Sequence, residues 1–297
     1  MKSEQRRISV SPAQFKVRET NISTGPHDGG RSDLLEPTLE IAREAGLLLL
    51  EKFNSEIEIG LKGGEEIVTE ADRASERLLH DRLTTLLPGS SFFGEETGYT
   101  PGDSEMTWVV DPLDGTQNYS LEIPIWGISI GLLDESRCPL LGVLHFPTFS
   151  NAVWATLGGG AIQNGEPIRV SDAPLDPNSV IGVQSRVRTI PFPGHIEKAC
   201  ARHCARGYGS IAYHAVLVAT GRMRACLDLK VKLHDIAAAT LIVREAGGIA
   251  LDLDSKPIFP LSLPYEQLEG RPIPFFAGDG VTGPDLLQFL FPDGAPL

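Results

Sequence analysis

The stretch WVVDPLDGT, residues 108–116, sets two aspartates three apart at the end of an apolar run. Val109 and Val110 lead into Asp111, Pro112 and Leu113 intervene, and Gly115 follows Asp114. A strand that ends by burying two unpaired negative charges bears a large desolvation cost. The stretch must therefore form either a tight turn or a binding place for a cation.

The surrounding pattern frames that choice. EPTLEIAREAGLLLLEKF (36–53) has Pro37 in its first turn and Leu39, Ala42, Leu49 and Phe53 near helical spacing, which predicts a helix. A Gly-rich loop follows, then a second helix that opens on a Thr69-to-Asp72 capping box. Leu78, Leu79, Leu83 and Leu86 line its buried face, and Pro88-Gly89 ends it. SFFGEETG (91–98) reads as a short strand stopping at two glutamates. Runs at 127–133, 139–147 and 151–170 read as further strands joined by turn signals, predicting an antiparallel sheet. Beyond Ser171 strands and helices alternate, with helices expected over 194–207, 212–223 and 235–248, which predicts stacked α and β layers. The expected organisation is a polar tail over 1–32, a first lobe over 33–170 and a second over 171–297. The tail reads as disordered, or as a cleaved targeting peptide that Glu4 and Glu19 argue against.

The chain has 297 residues, 41% of them hydrophobic, enough for a sizeable core, and a formal net charge of -13. No dense Lys/Arg run appears, so neither nucleic acid nor a membrane surface is an expected partner. The apolar runs are too short to span a bilayer, no signal-peptide pattern opens the chain, and four cysteines do not make a disulfide framework. A cytoplasmic location is expected. CARHC (200–204) places two cysteines at i and i+4 of the expected helix, but no second Cys/His pair of zinc-site spacing follows.

Asp72, Glu95, Glu96, Asp111, Asp114 and Asp235 all sit at the ends of expected elements. Singly, each reads as a cap or turn residue, Asp72 in its capping box and Asp235 as an N-cap. Together they would repel one another unless something neutralised them. Hard carboxylate and carbonyl oxygens suit Mg²⁺, and a shared aspartate can bridge two ions of the kind that assist phosphoryl displacement. Pro112 stiffens the turn, and Gly115 lets backbone approach a ligand.

These residues carry a resemblance. GEETG (94–98), WVVDPLDGTQNY (108–119) and HDIAAATLIVREAGG (234–248) resemble the inositol monophosphatase family. VTEAD (68–72) and GAIQNGEPIRVS (160–171) agree with it in order and spacing. The resemblance runs from about Leu34 to the C-terminus. It implies an α-β-α-β-α layered sandwich and Mg²⁺-dependent, often Li⁺-sensitive, hydrolysis of a small phosphomonoester with two to three ions per site; a homodimer is the expected assembly. By position, Glu95, Asp111 and the Leu113 carbonyl would hold one ion, and Asp111, Asp114 and Asp235 a second. Glu95 would help a third, and Glu96 would support the cluster. Thr116, linked to Asp72, would orient the attacking water. Asp114, Gly115 and Thr116 would face the phosphate, and Gly209, Ser210 and Asp228 the rest of the substrate.

The chain departs from the family pattern at Glu66, where the family often has Asp, and at His234, where it often has Trp. His234 reads as a structural residue, or as one that tunes the site. Lys230 and Lys232 beside Asp228 are not typical of inositol specificity. Inositol 1-phosphate or a similar polyol phosphate is the expected substrate. Histidinol phosphate, 3′-phosphoadenosine phosphate and fructose bisphosphate are the alternatives. A regulatory binding protein that keeps the fold is the non-enzyme alternative, although every expected metal carboxylate is filled.

Overall fold

The computed structural model describes residues 32–53, 59–62, 66–183 and 194–294. The expected tail, apart from its last residue, and the glycines at 63 and 64 lie outside these residues, as do the side chains of Glu66 and Thr69.

The first layer is a helix pair, α1 (Leu35–Phe53) and α2 (Glu70–Leu86), joined through the antiparallel hairpin β1 (Ile59–Lys62) and β2 (Glu66–Thr69). On α1 the buried residues Leu35, Thr38, Ile41, Ala42, Ala45 and Leu49 trace the 3- and 4-residue steps of one helix face. The matching stripe on α2 is Asp72, Ser75, Glu76, Leu79 and Leu83. Its C-terminal half is leucine and packs on the core; its N-terminal half is polar, and its groups are satisfied elsewhere, as described below.

This pair covers an eight-stranded sheet. Its strands are β3 (Ser91–Gly94), β4 (Gly98–Thr100), β5 (Thr107–Asp114), β6 (Gly127–Leu133), β7 (Pro139–Phe146), β8 (Asn151–Thr156), β9 (Gly160–Gln163) and β10 (Glu166–Pro167). Their order is β10-β9-β8-β7-β6-β5-β3-β4. The expected antiparallel sheet holds except that β3 and β5 run parallel. Strands β5, β6 and β7 are buried throughout, because helices cover both of their faces. A short helix, α3 (Thr116–Ser120), follows β5.

The second half builds a five-stranded sheet from β11 (Val180–Val183), β12 (Cys204–Arg206), β13 (Ala225–Val231), β14 (Gly248–Leu251) and β15 (Ile273–Asp279), in the order β12-β11-β13-β15-β14. Helices α5 (Ile211–Ala219) and α6 (Leu233–Glu245) lie between the two sheets. Helices α4 (Ile196–Arg202) and α7 (Gly283–Leu290) cover the outer face of the smaller one. The layers therefore run α-β-α-β-α, as the resemblance implied.

Three local expectations differ. The helix expected over 194–207 stops at Arg202, and Cys204–Arg206 is β12, hydrogen-bonded to β11. Cys200 and Cys204 thus share no helix face; an edge of the sheet in need of a partner overrides helical propensity there. Helix α5 ends at Ala219 because Gly221 takes φ 70°, left-handed backbone. Asp235 is the third residue of α6 rather than its N-cap, and its Oδ2 accepts the Lys232 N–H at 2.6 Å.

Helix α6 carries Asp235, so its seating matters. Buried Ala237 and Ala238 face β6 and β7, where Gly131 and Gly142 leave room. A Cβ built on Gly142 would come within 2.9 Å of the Ala238 carbonyl oxygen and 3.0 Å of its Cα. Backbone on both sides cannot yield as a side chain can. Gly142→Ala is expected to destabilise the protein by about 1–3 kcal/mol, the usual cost of overpacking. Urea unfolding checks this, and an unchanged midpoint would mean that α6 does not need the close approach.

Candidate active site

Strand β5 bends where its two aspartates sit. Asp111 pairs with Ser129, while Asp114 pairs with Gly127: three steps along β5 match two along β6. In a regular strand residues three apart face opposite sides. This bulge adds one residue, so Asp111 and Asp114 come to the same side. Pro112 sits inside the bulge, where a ladder N–H is dispensable. The Asp111 Oδ1 accepts the Leu113 N–H at 2.9 Å and closes the turn.

Gly115 has φ 90°, and a Cβ there would come within 2.9 Å of the Ile125 carbonyl oxygen. The chain thus turns directly into α3 with Thr116 as its first residue. Thr116 Oγ1 lies 3.1 Å from Asp72 Oδ1 and 3.0 Å from the Leu113 carbonyl oxygen. The expected Thr116–Asp72 link is present.

Two groups of donors converge. Ligand atoms of Glu95, Asp111 and His234 lie within 4.8 Å of one another, as do those of Asp111, Asp114 and Asp235. Asp111 belongs to both. Four of the expected metal side chains therefore meet, although they come from the end of β3, from β5 and from α6. Glu96 and Asp72 belong to neither group. Glu96 stands beside Glu95, and its backbone N–H bonds to Glu76.

Burial raises the proton affinity of every converging carboxylate, and repulsion from nearby acids adds to it. Glu95 is pushed up to about 8 by burial, then by Asp235, Asp72 and Glu96, with Lys232 opposing. Asp111 is raised well above the usual aspartate range by burial and by Glu95, Asp235 and Asp114. Burial and Asp235 lift Asp114 to about 7, against hydrogen bonds from Ser210, Ala212 and Ile211. Burial lifts Asp235 to about 6. Such a cluster holds protons or cations, and its donors are hard oxygens with one imidazole. That donor set fits a divalent ion such as Mg²⁺.

Some expected residues take on a further task. Asp114 Oδ2 accepts the Ser210 hydroxyl and, at 2.9 Å, the Ala212 N–H, so this carboxylate also tethers the start of α5. Ser210 accepts the Tyr213 N–H at 3.0 Å as the N-cap of α5. Its hydroxyl is thus committed to Asp114 and the helix. Gly209, at φ 73°, packs against Asn118. Asp228 lies at a bulge of β13, with its Oδ1 accepting the Lys230 N–H at 2.9 Å, and its charge is felt by Asp235.

Sequence reading missed three residues here. Glu76 is buried and accepts the Glu96 and Thr97 N–H groups, each at 2.8 Å, fixing the loop after Glu95. Its signal was the α2 stripe continuing backward from Leu83 and Leu79 through 76, 75 and 72. Ser75, on that stripe, donates to the Pro112 carbonyl at 3.0 Å and holds the β5 turn. Asn118 Nδ2 bridges the Ile125 and Tyr208 carbonyls, each at 2.7 Å, joining α3 to the loop before Ser210. Nothing local in the sequence announced that bridge.

An α-β-α-β-α sandwich with an Asp-Pro-x-Asp-Gly-Thr turn facing an Asp from a buried helix defines a class of metal-dependent phosphatases. The chain belongs to the inositol monophosphatase family, whose model matches residues 31–271. It is 33% identical to a histidinol-phosphatase of Chlorobaculum parvum over 222 residues, 73% of this chain and 85% of that protein. It is 34% identical to an inositol-1-monophosphatase of Mesorhizobium japonicum over 232 residues, 75% of this chain and 87% of that one. Its fold is similar to the extragenic suppressor protein suhB of Bartonella henselae, with a TM-score of 0.77, 27% identity, and 87% and 98% of the two chains covered. A Thermotoga maritima IMPase gives a TM-score of 0.75 at 28% identity, with 87% and 96% covered.

The raised carboxylates dictate how stability follows pH. Folded Asp235, Asp114 and Glu95 titrate near 6, 7 and 8 against ordinary values of 3.8 to 4.5. Without metal the folded state therefore holds extra protons in this window, and their contribution to stability is lost as pH rises through it. His145 and His214, both pushed down to about 4 by burial, titrate in the opposite sense, but with and without metal alike. The gain in melting temperature on adding Mg²⁺, relative to chelator, is expected to grow steadily from about pH 5 to about pH 8. A constant or shrinking gain would overturn this reading of the cluster.

Proposed function

We propose that the protein hydrolyses a small phosphomonoester to an alcohol and inorganic phosphate with Mg²⁺. The observation that carries this reading is the convergence of two donor groups on the shared Asp111. Glu95, Asp111 and the Leu113 carbonyl would hold one ion, and Asp111, Asp114 and Asp235 another. Bound divalent ions supply charge neutralisation for the phosphate and the leaving alkoxide, and make water more acidic. Two ions account for the donor groups; a third, weaker one near Glu95 is part of the same proposal.

The chain's own residues perform the rest. Thr116 Oγ1, with its proton directed to Asp72 Oδ1, accepts a hydrogen bond from the attacking water and fixes its approach. The Gly115 and Thr116 N–H groups, at the left-handed turn that opens α3, would bind the phosphate oxygens. Glu76 and Ser75 keep the Glu95 loop and the β5 turn from relaxing when charge changes in the site. The ester oxygen leaves as the alcohol, and phosphate departs through the open side near Glu95 and Asp235, which remain partly exposed.

For the substrate, Asp228 near Asp235 supports a polyol phosphate such as inositol 1-phosphate, its carboxylate accepting hydroxyl hydrogens. The name of the Chlorobaculum relative keeps histidinol phosphate as the rival, at nearly the same identity as the inositol-named relative. Among the described residues no helix is long and apolar enough to cross a membrane, in keeping with a small-molecule substrate reached from water. A cytoplasmic, homodimeric enzyme is the corresponding proposal for the whole protein.

Two measurements test this. Asp114→Asn retains an oxygen to accept from Ser210 and Ala212, so the fold is expected to persist while turnover falls by about a thousandfold, roughly 4 kcal/mol of barrier. Near-normal Mg²⁺-dependent activity in this variant would sink the site assignment. In a panel of inositol 1-phosphate, histidinol phosphate, fructose 1,6-bisphosphate and 3′-phosphoadenosine phosphate, the first is expected to be hydrolysed fastest. Preference for another member would overturn the substrate, and failure on every one would favour a binding protein.

A further inference from the structure

One buried, chemically capable side chain in the site takes no part in the steps described above. His234 follows the first residue of α6 and precedes Asp235, and its side chain is only 4% exposed. Its backbone is pinned, since the Ser129 hydroxyl donates to its carbonyl at 3.1 Å, and its ring lies 6.4 Å from that of Phe93. Nε2 points at the carboxylates: 3.9 Å from Glu95 Oε1 and 3.7 Å from Asp235 Oδ1.

Those separations are too long for hydrogen bonds. The separation from Glu95 suits two donors to a common ion: two ligands each about 2.1 Å from a cation stand about 3 Å apart when adjacent and about 4.2 Å apart when opposite. The ring nitrogen also lies within 4.8 Å of donor oxygens of both Glu95 and Asp111, the pair expected to hold the first ion. A neutral imidazole offers that ion a lone pair where water would otherwise complete its shell.

We infer that His234 is a metal ligand, so that the Glu95–Asp111 position of this protein is a mixed nitrogen–oxygen site. This rests on the divalent-metal reading of the site. Carboxylate, carbonyl and water donors favour Mg²⁺, whereas an added imidazole shifts preference toward transition ions, Zn²⁺ most and Mn²⁺ least. The protein would then discriminate among divalent ions at this one position, while the Asp111–Asp114–Asp235 position keeps an oxygen-only shell.

The test uses Mn²⁺ as the probe on the full chain. Pulsed electron paramagnetic resonance of bound Mn²⁺ is expected to show ¹⁴N modulation from a directly coordinated imidazole. That signal should vanish in His234→Phe, which keeps a planar ring in the buried space, and in His234→Gln should that variant alone fold. The ratio of Mn²⁺ to Mg²⁺ affinity, measured by titration, is expected to fall roughly tenfold in either variant. Bound Mn²⁺ without ¹⁴N modulation in the unaltered protein would overturn the ligand role while leaving the metal site in place. No Mn²⁺ binding at all would overturn both. A folded variant with an unchanged affinity ratio would also overturn it.

Discussion

The crowding of four acidic side chains into one largely enclosed space is the constraint around which this molecule is organised. Glu95, Asp111, Asp114 and Asp235 converge at the carboxyl end of strand β5, and each resists ionisation because burial and its neighbours penalise charge. Left to local energetics they would move apart. They are held because each is tied by a different element. The bulge of β5 turns both aspartates to one side, α6 seats Asp235 against the Lys232 N–H, and the Glu76 carboxylate fixes the loop that follows Glu95. A site stressed in this way is preorganised for positive charge: the strain is relieved when a cation arrives.

The layered architecture supplies the rigidity for this. Helix α6 lies between both sheets and approaches β7 closely enough that Gly142 faces Ala238 backbone. Asp114 serves the cluster through one side and tethers α5 through the other, and Asn118 ties α3 to the loop before Ser210. The second half of the chain is thus joined to the first through residues of the candidate site. The loop before α5 and the carboxylate cluster share hydrogen bonds through Asp114.

Legibility in the sequence followed the range of the interactions involved. The two helices and the antiparallel strands of the first half were readable because apolar periodicity is a local signal. The Asp-Pro-x-Asp-Gly-Thr turn was readable because proline and glycine report backbone geometry directly. Cys204–Arg206 was misread as helix because its strand conformation is imposed by β11, more than twenty residues earlier. The Ser210 hydroxyl meets Asp114 across 96 residues, a contact that no local pattern announces. Glu76 was half-legible: it lies on the buried stripe of α2, but its partners at 96 and 97 appear only when β3 is laid beside the helix.

By itself the sequence determined which groups were available: hard oxygen donors at element ends, a stiff turn carrying two of them, and a helix expected to open at Asp235, just after His234. It also fixed the family, because those motifs recur in order. The tertiary structure decided which donors share a space. It set one extra residue in β5 to bring Asp111 and Asp114 together. It turned the His234 ring toward Glu95 and left Glu96 outside both donor groups. Side-chain chemistry is written residue by residue. Convergence is not, because it depends on strand register and helix seating, which arise from packing between segments more than a hundred residues apart.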